Sequence, residues 1–211
     1  MVCEIKEELK GLLSQNQLEQ MEEYSVKDMV KLYTGSVENV GWDKFVWNRL
    51  TVPKHRFFVW LTMNNRLQTT SIWHKIGIAS SASCLICDDD EETQTHLLFE
   101  CKYSSAVFRQ VKRWCELPDN LTNINIALRW IARSRKSCFQ KKVLFAIMGA
   151  MIYHIWGSRN EAYWNQKVIT IHRIVNTIQK EIVERLYRVM PKKVGTARKM
   201  WLRRLAHQVC N

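Results

Sequence analysis

Apolar residues recur at helical rather than strand spacing along most of this chain. Leu9, Leu12, Leu13 and Met21 give residues 4–24 the pattern of a modestly amphipathic helix. Ser25 and Asp28 outline a capping box for a second helix that runs through Met29, Val30 and Tyr33 to Gly35. Trp42, Phe45 and Val46 lie at i, i+3 and i+4, again one helical face. Pro53 sits where a first-turn proline belongs. The apolar run Phe57 to Leu61 behind it reads as buried helix, with a buried strand as the alternative. Thr70 to Ile76 reads as a short capped helix closed by Gly77 at C′.

The same spacing continues to the C-terminus. Tyr103, Val107, Val111 and Trp114 form one face of a helix with Arg109, Lys112 and Arg113 on the other side. Leu117-Pro118-Asp119-Asn120 ends that helix and is the best candidate boundary. Beyond it the pattern predicts three or four more helices: an amphipathic one over 124–133, a long one over 138–164, one over 168–189 and a short basic one over 198–208. Ile171, Ile174, Val175, Ile178, Ile182, Leu186 and Val189 form the stripe of the third, and Pro191 stops it. The longest apolar run, Val143 to Gly157, contains Tyr153 and His154 and is shorter than the roughly 20 residues a membrane span needs. It is expected to be a core helix.

The chemistry concentrates between Cys84 and Cys101. Cys84 and Cys87 are two residues apart in the C-x2-C manner, His96 follows after eight residues, and Cys101 after four more. Three thiols and an imidazole at this spacing suit a closed tetrahedral zinc site with no position left for water, hence a structural one. A redox pair and a plain buried cluster are the alternatives. A redox C-x-x-C usually opens a helix after a strand, and no strand pattern surrounds Cys84. Cys3, Cys115, Cys138 and Cys210 do not cluster and read as ordinary thiols, Cys115 being a distant substitute ligand.

Composition narrows the classes further. The chain has 211 residues, 46% hydrophobic and 25% charged, as a globular protein does. Seven Gly and three Pro are few for a turn-rich all-β fold. Seven Cys and a charged N-terminal stretch suggest a reducing compartment with neither signal nor transit peptide, so an intracellular protein of nucleus or cytoplasm is expected. The net charge of +12 is uneven: residues 133–211 hold 17 Lys and Arg against three acids. Such a basic third suits a polyanion, or is a solvated face. The segment Cys84 to Cys101, by contrast, holds Asp88, Asp89, Asp90, Glu91, Glu92 and Glu100 and no Lys or Arg. That loop is expected to repel phosphate.

The order Trp47, Pro53-Lys54, Phe57-Phe58-Val59-Trp60, Arg66-Leu67, Ile76-Gly77-Ile78, Cys84-x2-Cys87, Glu92-Thr93-x2-His96-Leu97-Leu98-Phe99-x-Cys101 resembles a known module. It is the zinc-binding domain found downstream of the reverse transcriptase in plant LINE-type (non-LTR) retrotransposons. The resemblance runs over roughly residues 24 to 115. The later run Ile155-Trp156-Gly157-Ser158-Arg159-Asn160 is similar to a Trp-x2-Arg-Asn segment that often follows in those polyproteins. The resemblance implies one structural Zn²⁺ on Cys84, Cys87, His96 and Cys101 and a role beside a retroelement polymerase. No Tyr/Phe-x-Asp-Asp turn, dispersed carboxylate set, glycine-rich phosphate loop or open metal position is evident, so no enzyme is expected.

The expected architecture is mainly α. A helical extension over 1–23 precedes a small helical domain over 24–117 stapled by the Cys3His site, and a basic C-terminal helical bundle over 118–211 follows. Zinc is expected to fix the helix over 53–62 against the helix over 102–115. Nucleic-acid contact, non-specific and salt-sensitive, is expected at basic residues outside the zinc loop: Lys54, Arg56, Arg109, Lys112, Arg113, Lys192, Lys193, Arg198, Lys199, Arg203 and Arg204. The partners expected are DNA or RNA, with a retroelement polymerase or another protein as the alternative. Neither a membrane nor a small-molecule substrate is expected.

Overall fold

In the computed structural model, which describes residues 42, 46–189 and 195–207, the helical periodicity is realised as seven α-helices. They are α1 (Pro53–Met63), α2 (Thr70–Lys75), α3 (Lys102–Trp114), α4 (Ile124–Arg133), α5 (Cys138–Asn165), α6 (Ile171–Val189) and α7 (Thr196–His207). A single π-helical turn, His96–Glu100, precedes α3. No strand forms among the described residues, and Ser83 and Glu91 make an isolated antiparallel bridge. The helices expected over 4–24 and 25–35, Cys3, Phe45, Pro191, Lys192, Lys193 and Cys210 lie outside the described residues.

The long helix α5 is the axis. Every residue from Val143 to Ile152 is buried, as an all-round apolar stretch requires. Its start is set by Ser137 and Gln140, which form a reciprocal capping box. α1, α4 and α6 each pack on it, and α6 also packs on α3. α1 can lie close because residue 149 is glycine. A Cβ there would stand 3.3 Å from both the Thr51 and Val59 methyls. No described helix is long and apolar enough to cross a membrane.

Pro53 is the first residue of α1, and Phe57 to Leu61 is helix rather than strand. The buried face of that helix differs from the expected one. His55, Val59 and Thr62 face inward, while Phe57 is exposed and stacks near Trp60. α2 ends as expected, with Gly77 at φ +76° in the left-handed region.

α6 begins at Ile171, three residues later than its apolar pattern suggests. The preceding backbone is held elsewhere. Tyr103 of α3 donates its hydroxyl hydrogen bond to the Ile169 carbonyl at 2.7 Å, and the Ile169 N–H donates to Ser158 of α5. α7 is basic, and it also has an apolar side. Leu205 is buried, and its carbonyl accepts from the Trp114 indole N–H at 2.9 Å, which docks α7 on the C-terminal end of α3. The turn at 117–120 lies between α3 and α4, with Leu117 and Leu121 buried in the same core as α5.

Candidate metal centre

Cys84 and Cys87 sit on a tight turn inside a rudimentary hairpin. The Cys84 N–H donates to the Asp90 carbonyl and the Glu92 N–H to the Ala82 carbonyl, both at 2.8 Å, on either side of the bridge. The Asp88 N–H donates back to the Cys84 carbonyl, and Asp88 takes a left-handed φ of 54°. Aspartate tolerates that region better than most residues. The turn therefore aims both sulfurs to one side.

The other two donors come from the π-helical turn. Thr93 caps it by accepting from the His96 N–H at 3.0 Å. The Cys101 N–H donates to the His96 carbonyl at 2.7 Å, a bond five residues long. The four-residue spacing between His96 and Cys101 is thus one wide turn rather than an α-turn, a local departure that is common at functional sites. Cys101 then stands at the N-terminus of α3, where the N–H groups of Tyr103 and Ser104 point at its sulfur. The positive end of a helix favours a thiolate.

The donor atoms of Cys84, Cys87, His96 and Cys101 all lie within 4.8 Å of one another. Cys84 Sγ is 4.0 Å from Cys101 Sγ, and Cys87 Sγ is 3.3 Å from His96 Nε2. A tetrahedron with Zn–S of about 2.3 Å and Zn–N of about 2.0 Å has edges of about 3.5–3.8 Å. The residues fit the ion. Their ionisation also fits. Cys84, hydrogen-bonded to Cys101 and buried, is held well above the usual thiol range, whereas Cys101, accepting from Cys84, is lowered. Without a cation one of these buried sulfurs keeps its proton. A dication lets both be thiolates. His96 presents Nε2 to the site, and its Nδ1 faces Asp90 at 3.9 Å, on the outer side where a carboxylate orients a ligating ring.

Around the loop the acids divide. Asp89 pairs with Lys102 at 3.0 Å, and Glu91 accepts from the Ser71 hydroxyl. Glu92 is fully buried, so only five of the six acids expected to repel phosphate can face solvent. Glu92 Oε1 accepts from the Thr70 N–H at 2.9 Å and from Arg159 Nε at 3.0 Å, and Oε2 accepts from the Leu85 N–H. Arg159 is also fully buried, its guanidinium lying 4.3 Å from the Trp73 ring centre and 5.2 Å from that of Trp156. The two similar stretches of sequence, Glu-Thr-x2-His and Trp-x2-Arg-Asn, therefore meet through this ion pair.

That contact changes the expected role of zinc. The loop does not simply clamp residues 53–62 to 102–115. α1 packs chiefly on α5, and the loop reaches each by a separate bond: Gln94 to the Thr62 carbonyl at 2.9 Å, and Glu92 to Arg159. Cys115 is buried away from the donor cluster and is no substitute ligand.

The proposed basic residues fall into separate groups. On α1, Lys54 Nζ lies 3.7 Å from Glu181 and over the Tyr153 ring, and Arg56 Nε donates to the Thr51 carbonyl at 3.1 Å. On α3, Arg109 and Arg113 are exposed and Lys112 donates to the Asp119 carbonyl at 2.7 Å. All three line one groove with Phe108 and Asn123, and the acids Glu100 and Asp119 line it too. On α7, Arg198, Lys199, Arg203 and Arg204 are exposed, Arg204 lying 3.8 Å from Glu116. Sequence reasoning missed the Glu92–Arg159 pair and the cluster of His55, His154 and Glu181. Each is scattered along the chain, and no spacing marks it.

A mainly helical unit closed by a Cys3His cluster defines a protein with a structural zinc module. Residues 24–108 match the family model for zinc-binding in reverse transcriptase, so this segment is a reverse-transcriptase zinc-binding domain, a metal-binding module rather than the catalytic portion. No curated protein and no solved structure matches the chain.

Proposed function

We propose that the chain is a non-catalytic, retroelement-derived module that binds nucleic acid non-specifically through α3 and α7, with zinc purely structural. The carrying observation is the separation of charge along α3. Its N-terminal end carries the acidic zinc loop. Arg109 stands in its middle, and its other end carries Arg113 and the docked helix α7 with Arg198, Lys199 and Arg203. At about 1.5 Å rise per residue, Arg113 lies roughly 16 Å along the axis from the start of α3, beyond a Debye length of about 8 Å. Phosphate at Arg113 and α7 is thus screened from Asp88, Asp89, Asp90 and Glu91, whereas Glu100 lines the same groove as Arg109. Lys54 and Arg56 of α1 are engaged within the protein and contribute less to this reading.

Binding of a labelled single-stranded oligonucleotide, followed by anisotropy across a salt series, tests it. Log K is expected to fall steeply with log salt, by about 0.7 for each phosphate contact. The double variant Arg109→Ser/Arg113→Ser should flatten that slope, and so should Arg198→Ser/Lys199→Ser. Asp88→Asn should not weaken binding. A slope near zero overturns the reading.

A second reading, docking to another polypeptide such as a polymerase, draws on one apolar surface. Ile76, Ile78 and Trp164 are exposed. They flank Trp73 and Tyr163, whose rings pack at 5.0 Å. Stable zinc content with no oligonucleotide binding at low salt favours that reading instead.

A further inference from the structure

Away from the zinc loop, three helices bring two imidazoles and a carboxylate together. His55 comes from α1, His154 from α5 and Glu181 from α6, and one donor atom of each lies within 4.8 Å of the other two. His154 Nε2 is 2.7 Å from Glu181 Oε2, and His55 Nε2 is 3.3 Å from Glu181 Oε1. Both histidines thus turn the same ring nitrogen toward one carboxylate. We propose that His55, His154 and Glu181 form a second metal site, which takes one divalent transition-metal ion of the zinc class.

Two independent observations meet here. The first is the donor set. Imidazole nitrogen with carboxylate oxygen is the ligand class of zinc and its neighbours, and two His with one Glu is a set known to leave a further position open. His154 and Glu181 are partly exposed, at 16% and 24%, so that position faces solvent. The second is the state of His55. Its side chain is fully buried, and neither ring nitrogen has a hydrogen-bond partner. The 3.3 Å approach to Glu181 is within ion-pair reach but lacks hydrogen-bond geometry. A buried imidazole whose contact with Glu181 is so poorly aligned costs free energy that a metal bond through Nε2 would offset.

Lys54 is the competing cation. Its ammonium lies 3.7 Å from Glu181 and 4.5 Å from the Tyr153 ring centre. Lys54 is half exposed, so its chain can swing into water when a dication occupies the carboxylate. The site differs from the Cys3His centre in having no sulfur, and this makes the two separable by spectroscopy. It is also independent of any nucleic-acid contact.

The test is a Co²⁺ titration of the full chain followed optically. The first equivalent should bring thiolate-to-cobalt charge transfer from Cys84, Cys87 and Cys101. The second should add d–d absorption without further charge transfer. His154→Ala and Glu181→Gln should each lose the second equivalent and keep the first, whose thiolate bands report a folded protein. Lys54→Met, on the solvent side, should tighten the second equivalent severalfold, and it serves as the test where the other variants fail to fold. Uptake of one equivalent only by the parent protein overturns the proposal. So does a second equivalent that survives in both ligand variants, or one unaffected by Lys54→Met.

Discussion

Arg159 and Glu92 carry the largest single risk in this interior. Each is fully buried, and Arg159 Nε pairs with Glu92 Oε1 at 3.0 Å while Arg159 Nη2 has no hydrogen-bond partner. Removing one charge leaves its partner uncompensated, which costs about 3–5 kcal/mol. Arg159→Leu is therefore expected to lower unfolding stability by about that amount. Glu92→Gln/Arg159→Leu together should cost less than the two single changes summed, because neither charge is then stranded. Urea melts of the four proteins measure the coupling, and strict additivity would refute it. The guanidinium also lies over Trp73 and Trp156, so lysine, a compact ammonium, should not restore the parent stability.

At the scale of elements, the meeting of α1 and α5 depends on the missing side chain at Gly149. Thr51, His55 and Val59 line the gap, two of them with methyls at 3.3 Å from where a Cβ would stand. Gly149→Val would push branched methyls into that contact and displace α1. Overpacking of this kind costs about 1–3 kcal/mol. The variant should show a lower urea midpoint with an unchanged m-value, and a stability equal to the parent's would mean that α1 is free to shift. The same contact positions His55, so this change should also weaken the second Co²⁺ equivalent. The π-helical turn is the other element with a defined task. Its five-residue bond sets His96 and Cys101 on one ion, and no helix of ordinary pitch closes that spacing.

At the scale of the molecule, zinc removal should reach far beyond the loop. Cys84, Cys101, Leu97 and Leu98 belong to the same buried core as α5 and α6. Metal binding in zinc-finger peptides contributes about 10–16 kcal/mol, against a usual net stability of about 5–15 kcal/mol for a domain. Cys87→Ala is expected to lose zinc and the cooperative melt together. Thiol labelling by iodoacetamide gives the matching readout for chelation. In the loaded protein Cys138, which is exposed, should label, while Cys115 should not, because burial protects it and holds its thiol well above the usual range. After chelation Cys84, Cys87, Cys101 and Cys115 should all become reactive. Continued protection of Cys115 would confine the effect of zinc to the loop.

Local physics accounts for what the sequence determined by itself. Helical periodicity, Pro53 at a first turn, Gly77 past a last one and the Cys-x2-Cys…His-x4-Cys spacing are all short-range signals, and the helices and the four converging donors follow them. The stripe on α6 was likewise legible, apart from its first turn, which a contact from Tyr103 unwinds. What only the tertiary structure decided depends on residues far apart in the chain. Glu92 had to meet Arg159, and His55 had to meet His154 and Glu181, across helices whose order of packing no local pattern encodes. α7 acquired a buried side only because Trp114 and its neighbours offered a surface for Leu205. Spacing within one turn fixes geometry directly, whereas contacts between helices depend on which apolar faces find each other, as where α1 closes on Gly149.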